Sequence, residues 1–116
     1  MRYVLMIRAD ENANVSEEVR AARAAADRAF AGRTRDRGPK LDGMRLQPAA
    51  DATTVRCWHG GDIAISTGPF GQPAEQITGC IVADCDDLDA AIELATTIPA
   101  AWYGAVEIRE TMDIGL

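Results

Sequence analysis

Two stretches of the chain carry apolar residues on both faces of a predicted strand. From Arg2 to Arg8, and again from Gln76 to Asp84, apolar side chains occupy odd and even positions alike. Alternate side chains of a strand point to opposite faces, so neither strand can leave a face in water. The pattern predicts two inner strands of a sheet that is covered on both sides.

A helix is predicted after the first of these strands. Ser16 is typical of a helix N-cap, and Glu17 and Glu18 behind it complement the positive end of the helix dipole. Apolar residues then recur at helical spacing until Gly32 provides a stop. The apolar residues at this spacing are Val15, Val19, Ala22, Ala26, Ala29 and Phe30.

A second helix is predicted near the end of the chain. It begins after an N-cap at Asp86 or Asp87 and ends before Pro99. Its apolar stripe consists of Leu88, Ala91, Ile92, Ala95 and Ile98. A last strand, Gly104–Glu110, follows with alternating apolar and polar positions, so the second half of the chain repeats the helix-strand order of the first.

Three short strands are predicted in the middle of the chain, at Gly43–Gln47, Thr53–Trp58 and Asp62–Thr67. Gly60-Gly61 tolerates the positive φ of a tight turn, which joins the last two strands into a hairpin. The complete order is β-α-β-hairpin-β-α-β. This order predicts a ferredoxin-like α+β fold, in which an antiparallel sheet carries two helices on one face.

The two-faced strands also predict a partner. Two helices cover only one face of such a sheet, so the other face needs cover from elsewhere. A second copy of the chain is the economical source, because two sheets that pack face to face form a dimeric α+β barrel. We therefore expect a homodimer with a cleft between its sheets that accepts a small-molecule ligand.

Composition narrows the class of protein. The 116 residues, 47% of them hydrophobic, fit a single domain, residues 1–116, with one core. The net charge of −6 argues against nucleic acid as a partner, because that partner requires clustered cations. No apolar run approaches the ~20 residues that span a bilayer, and no signal-peptide core is present. We therefore expect a cytoplasmic protein with no membrane partner.

The cysteine and acidic residues do not indicate a cofactor. Cys57, Cys80 and Cys85 make an odd count without a CxxC pair, which predicts reduced thiols rather than a disulfide framework or a zinc site. The aspartates between Asp84 and Asp89 fit helix capping better than a calcium loop, which needs a glycine and a distal glutamate in register. We expect neither a metal nor a cofactor.

Motifs along most of the chain match those of one known family. The upstream motifs are Arg2–Ile7, Leu46-Gln47-Pro48 and Thr53–Arg56. The downstream motifs are Thr67-Gly68-Pro69-Phe70, Glu75-Gln76, Gly79, Asp86–Ala91, Pro99 and Gly104–Arg109. In this order they resemble the YCII-related proteins that carry the DGPF signature. The resemblance implies a dimeric α+β barrel in small bacterial proteins, many of them encoded near extracytoplasmic-function sigma factors. For some branches it also implies an enzymatic role that rests on a polar His/Asp site in the cleft.

The chain departs from the family pattern where that chemistry would act. The signature Asp is Thr67 here, and the acidic residue after the Phe is Gln72. The Lys before Glu75 is Ala74, and the first helix carries no histidine, since the single His59 lies at the hairpin tip. A hydroxyl cannot hold the negative charge that orients an imidazole, so we expect a degenerate signature site and assign no catalytic residue.

Charged residues on the last strand belong to the candidate site. Glu107 and Arg109 share one face, opposite Val106 and Ile108. If the apolar pair packs under the helices, the charged pair points into the cleft. Two interpretations follow: the two side chains form an ion pair with each other, or Arg109 binds a ligand carboxylate.

The candidate site also includes the loop after the hairpin. The Thr67–Phe70 loop either walls a ligand cleft or docks the hairpin, and Glu75 either caps a backbone group or acts as a base. These patterns favour a small-ligand-binding or regulatory homodimer. The alternative is a cofactor-free enzyme that acts on a small metabolite in the intersubunit cleft. The candidate ligand-binding residues are Thr67, Gly68, Pro69, Phe70, Glu75, Glu107 and Arg109.

Overall fold

A computed structural model describes residues 1–11, 13–35, 41–71 and 75–116. In chain order its helices and strands are β1 (Arg2–Ala9), α1 (Glu17–Arg35), β2 (Leu41–Arg45), β3 (Thr53–Cys57), β4 (Ile63–Thr67), β5 (Gln76–Asp84), α2 (Leu88–Thr96) and β6 (Ala105–Glu110). Short 3₁₀ turns lie at Ala49–Asp51 and Pro99–Trp102. The predicted order of elements is confirmed.

Four strands form one antiparallel sheet in the order β2-β5-β1-β6. The two strands predicted to be inner, β1 and β5, lie at its centre. β3 and β4 pair with each other as a separate hairpin, which is inserted in the chain between β2 and β5. This arrangement is the ferredoxin-like α+β fold predicted from the sequence.

Side-chain caps set the start of both helices. The Ser16 Oγ accepts a hydrogen bond from the Val19 N–H (3.2 Å), and the Asp87 Oδ1 accepts one from the Ala90 N–H (2.8 Å). Each cap satisfies a backbone donor that the first helical turn leaves without a partner. The predicted N-caps are confirmed, with Asp87 rather than Asp86 serving α2.

The buried core lies between α2 and one face of the sheet. Val106 and Ile108 of β6 pack against this core, which confirms the face predicted for them. Apolar side chains from both inner strands meet those of α2 and of the turn that follows it. The buried residues are Tyr3, Leu5, Ile81, Ala83, Ala91, Leu94, Ala95, Ile98 and Ala100.

The apolar residues of α1 contribute little to the core. None of its residues is buried, and from the predicted stripe it is Phe30 that packs against the core. Polar contacts also connect this helix to the rest of the fold. The Arg23 guanidinium lies 3.9 Å from the ring centroid of Tyr103, and Asp27 forms an ion pair with Arg45 of β2. A stripe made mainly of alanines offers little apolar area for burial.

The opposite face of the sheet carries no helix among the described residues. The side chains there alternate with those of the core, and register places Val4 beside Val82 and Met6 beside Cys80. All four are half-buried in the single chain. We call Val4, Met6, Cys80 and Val82 the open face.

Candidate functional site

Arg8, near the end of β1, connects three segments of the chain. Its Nε donates a hydrogen bond to the Glu107 Oε1 on β6 (3.1 Å), and its Nη1 donates one to the carbonyl oxygen of Glu75 (3.2 Å). The side chains of the ion pair are partly shielded, with 33% of Arg8 and 42% of Glu107 exposed. Charge-assisted bonds of this kind hold a guanidinium in one orientation. Arg8 therefore ties β6 to the start of β5.

Two features of the backbone set the position of Arg8. The pairing of β1 with β5 shifts between Ile7 and Arg8, and such a bulge re-aims the side chain that follows it. On the other side of β1, the start of β6 approaches β1 closely because Gly104 lacks a side chain. A β-carbon at Gly104 would collide with the carbonyl oxygen of Arg8. The bulge and the glycine together bring Glu107 within reach of the guanidinium.

A pocket of about 570 Å³ lies beside Arg8. This volume falls within the range of small-molecule sites, roughly 300–1,000 Å³. Prolines and an aromatic ring give it apolar walls, and two carboxylates add negative charge. We call it the Arg8 pocket; the residues that define its character are Arg8, Pro48, Asp51, Pro69, Phe70 and Glu75.

The loop that carries Pro69-Phe70 is fixed to the start of β3. The Gly68 N–H donates a hydrogen bond to the Ala52 carbonyl oxygen (2.6 Å), and the Thr54 Oγ1 donates one to the Gly68 carbonyl oxygen (2.7 Å). Gly68 and Gly71 have φ values of 109° and 96°, which favour glycine. The loop is held in a defined shape, and it presents the proline and the phenylalanine to the pocket.

Arg56 on β3 lies between two aromatic rings. Its guanidinium carbon is 5.3 Å from the ring centroid of Trp58 and 5.3 Å from that of Phe70, within the range of a cation–π contact. Phe70 is nevertheless 71% exposed. Its burial at a subunit interface therefore stays a prediction, and within the single chain its ring is accessible from the pocket.

Comparison with known proteins assigns the family. The model of the YCII-related domain matches residues 1–114. The chain belongs to the YCII-related domain family. An uncharacterized protein of Rhizobium meliloti (strain 1021) is 34% identical to it over 67 residues, a match that covers 56% of this chain and 53% of that protein. The match thus spans about half the length of the curated relative, and the resemblance identified from the motifs is confirmed.

The Arg8 pocket of this YCII-related protein unites part of the predicted site. Pro69-Phe70 and Glu75 line it. Glu107 is linked to it through the ion pair with Arg8. These residues come from the loop after the hairpin and from the last strand, as the sequence suggested.

Two other predicted residues stand beside the pocket rather than in its lining. Gly68 anchors the loop through its backbone bonds, and Thr67 pairs with Thr53 at the end of the hairpin. Thr67 replaces the signature Asp, so no carboxylate is present at this position. Gln72 and Ala74, the other departures from the family pattern, lie outside the described residues.

Of the two interpretations of Glu107 and Arg109, the ion pair between them is not formed. The Glu107 carboxylate binds Arg8, and Arg109 lies opposite Val4, further along β6. Residues two apart on a strand are separated by roughly 6.6 Å, whereas Arg8 reaches Glu107 diagonally from the neighbouring strand. Sequence reasoning missed Arg8 because strand pairing, not chain position, makes it a site residue. The available signal was a charge at the end of a strand whose other residues are apolar.

Cys57 is exposed, Cys80 and Cys85 are half-buried, and all three are free thiols in the structure. Burial raises the pKa of Cys85, although the N-terminal ammonium opposes the shift. A raised pKa keeps the thiol protonated and therefore a poor nucleophile. Within residues 1–11, 13–35, 41–71 and 75–116, no three His, Cys, Asp or Glu residues are grouped closely enough to hold a metal ion. In these same ranges no helix combines the length and apolarity that crossing a membrane requires.

Proposed function

We propose that this YCII-related protein is a homodimer that binds a small molecule in the Arg8 pocket and serves a regulatory or interaction role. The ion pair between Arg8 and Glu107 carries the proposal. It fixes the orientation of the Arg8 guanidinium at the pocket, and preorganisation of this kind lowers the cost of binding. The fixed Pro69-Phe70 loop supports the opposite wall in the same way.

The charges of the pocket favour a ligand with a positive charge or hydrogen-bond donors. The Arg8 guanidinium is already engaged by Glu107, so its charge is offset. Asp51 and Glu75 then leave the lining with an excess of negative charge. Phe70 offers a ring face on which an apolar or aromatic body can stack. We infer a small amine with an apolar or aromatic body.

The assembly is proposed from two unpartnered apolar surfaces. The open face of the sheet carries half-buried apolar side chains, and the hairpin exposes Val55 (59%), Ile63 (66%) and Ile65 (71%). Apolar surface of this extent marks an interaction site. A second copy that covers the open face would place two Arg8 pockets in one dimer. Sedimentation at micromolar concentration should return twice the chain mass of 12.4 kDa, and a monomer would contradict the dimer.

A catalytic role is the less favoured alternative. The paired carboxylate of Glu107 is neutralised by Arg8, which leaves Glu75 as the acid–base candidate of the predicted site. Glu75→Gln keeps the shape of the side chain and removes its ability to accept a proton. A variant that binds ligands but no longer converts them would favour the enzyme.

The binding proposal is tested by thermal shift with phenethylamine, tyramine and agmatine, and with phenylpropionate as an anionic comparison. A ligand that binds only the folded form raises the melting midpoint. We expect the amines to raise it and the carboxylate to leave it unchanged. Phe70→Ala should abolish the shift. Trp58→Ala is the matched control, because both rings contact Arg56 but only Phe70 lines the pocket. An equal loss in both variants would contradict the site.

A further inference from the structure

A second cavity, of about 950 Å³, lies between α1, the sheet and the Pro99–Trp102 turn. We call it the α1 cavity. It is separate from the Arg8 pocket, on the helix-covered side of the sheet. Its floor is apolar: the partly buried Ile7, Phe30 and Leu41 line it, and the buried core residues Ile81, Ile98 and Ala100 border it.

The side chains of α1 do not fill this space. Ala24 and Ala31 face it with single methyl groups, and the other α1 residues along this face are mostly charged. Long charged side chains keep their heads in water, so they line the rim rather than the floor. The cavity therefore follows from the amino-acid sequence of α1, which buries none of its residues, whereas α2 buries Ala91, Leu94 and Ala95.

The rim of the cavity is basic, in contrast to the rest of the chain. The acids Asp10, Glu11 and Asp27 line it, against five arginines, although the whole protein has a net charge of −6. A cationic rim over an apolar floor complements an anion that carries an apolar body. The five arginines are Arg20, Arg23, Arg28, Arg35 and Arg45.

Most of these rim charges are already engaged by other described residues. Asp27 pairs with Arg45, and the Glu11 carboxylate accepts a hydrogen bond from the Ala49 N–H (2.8 Å). Arg23 lies over the ring of Tyr103. Among the residues that the structure describes, the Arg28 guanidinium has no hydrogen-bond or ion-pair partner. Its five donors are therefore available to a carboxylate.

We propose that the α1 cavity is a second binding site, for an apolar carboxylate such as a medium-chain fatty acid. The hydrocarbon body lies on the floor formed by the sheet and Phe30, and the carboxylate binds Arg28 at the rim. This site is independent of the amine proposed for the Arg8 pocket, and the two ligands have opposite charge.

Titration calorimetry with decanoate below its micellar concentration tests the site. Decanol and decylamine, which share the chain length and differ in the head group, are the comparison probes. We expect saturable binding of one decanoate per chain, with decanol at least tenfold weaker and decylamine undetected. Absence of decanoate binding would overturn the site. Binding of either comparison probe as tight as that of decanoate would overturn the carboxylate assignment.

Matched variants then locate the ligand. Arg28→Gln should weaken decanoate binding about tenfold or more, because a hydrogen bond to a charged group is lost. Arg33→Gln, on the same helix but outside the cavity lining, should leave it unchanged. Equal effects of the two changes would overturn the assignment of Arg28.

A cavity-filling pair provides a second measurement. Ala24→Phe places a ring inside the cavity and should abolish decanoate binding, whereas Ala25→Phe, outside the lining, should preserve it. Phe70→Ala should also preserve it, which separates this site from the Arg8 pocket. Retained binding in Ala24→Phe, or loss in Phe70→Ala, would overturn the proposed location.

Discussion

α1 and α2 lie on the same face of one sheet, yet they cover it differently. In α2, Ala91, Leu94 and Ala95 are buried, and Ala91 has no exposed surface. Under α1, Ala24 and Ala31 leave a cavity of about 950 Å³. Both helices have apolar residues at helical spacing. Spacing therefore predicts where a helix forms, whereas the volume of its side chains decides how closely it packs.

Truncation of a large side chain should lower the free energy of unfolding by different amounts in the half of the molecule under α2 and the half under α1. We expect this difference to be the largest of those compared. Leu94→Ala removes a buried side chain from a packed layer, and we expect it to lower the free energy of unfolding by about 2–5 kcal/mol. Phe30→Ala removes a larger side chain, but one that borders the α1 cavity, so we expect a smaller loss. Urea unfolding measures both. A greater loss for Phe30→Ala would mean that the α1 half is packed as tightly as the α2 half.

Replacement of an alanine by a larger residue tests the same difference in packing between α1 and α2 by adding volume instead of removing it. Ala91→Leu forces extra volume into a filled layer, and we expect it to lower the free energy of unfolding by about 1–3 kcal/mol. Ala24→Leu adds the same group beside the α1 cavity, where it has room. We expect no loss there and a gain of up to about 1 kcal/mol. Similar losses in both variants, measured by the same urea unfolding, would contradict an open α1 half.

The coupling free energy of an ion pair should differ between the two faces of the sheet, but by a smaller amount. In the Arg8–Glu107 pair on the helix-free side the two side chains are 33% and 42% exposed, whereas in the pair on the α1 side Asp27 is 29% exposed and Arg45 is 70% exposed. A double-mutant cycle with Arg8→Gln and Glu107→Gln should give a coupling of about 1 kcal/mol. The cycle with Asp27→Asn and Arg45→Gln should give about 0.5 kcal/mol or less, and salt should reduce it further.

Arg109→Gln is the control for the first cycle. Arg109 shares the face and the strand of Glu107 but lies opposite Val4, out of the ion pair. We expect it to show no coupling with Glu107→Gln. A coupling larger than that of Arg8 would restore the pairing that the sequence alone suggested.

Much of the fold and part of the site are predictable from local sequence. Two-faced apolarity identifies β1 and β5 as central strands, and Gly60-Gly61 identifies the hairpin turn. Pro69-Phe70 and Glu75 stand out because turn chemistry and the family motif mark them. Arg8 does not stand out, since its partners are distant: Glu75 lies 67 residues away in the chain and Glu107 lies 99. Prediction of such a site requires knowledge of how the strands pair.

The orientation of α1 is not predictable by the same reasoning. Its alanines are compatible with several rotations about the helix axis, because each buries little area whichever way it points. In the rotation that the structure shows, Arg23 contacts Tyr103 and Asp27 pairs with Arg45. Both partners come from other elements of the fold, so the spacing of apolar residues within α1 does not reveal them.

Ionisation of the tyrosines should show the smallest difference between the half of the molecule under α2 and the half under α1. The chain has two tyrosines, Tyr3 in the core under α2 and Tyr103 beside the α1 cavity. Burial raises the pKa of both above the ordinary value of 10.0, and Asp27 adds to the shift at Tyr103. Folding therefore favours the protonated form. The resulting stabilisation is complete below about pH 10 and is lost as the pH rises through the raised pKa values.

Access to water should separate the two titrations. Hydroxide reaches Tyr103 through the α1 cavity, so we expect Tyr103 to ionise reversibly in the folded protein. Tyr3 is enclosed, so we expect it to ionise only as the chain unfolds. In an ultraviolet titration of tyrosinate, Tyr103→Phe should remove the reversible step and Tyr3→Phe should remove the cooperative one. A single cooperative step that contains both tyrosines would mean that α1 encloses its half of the sheet as completely as α2 does.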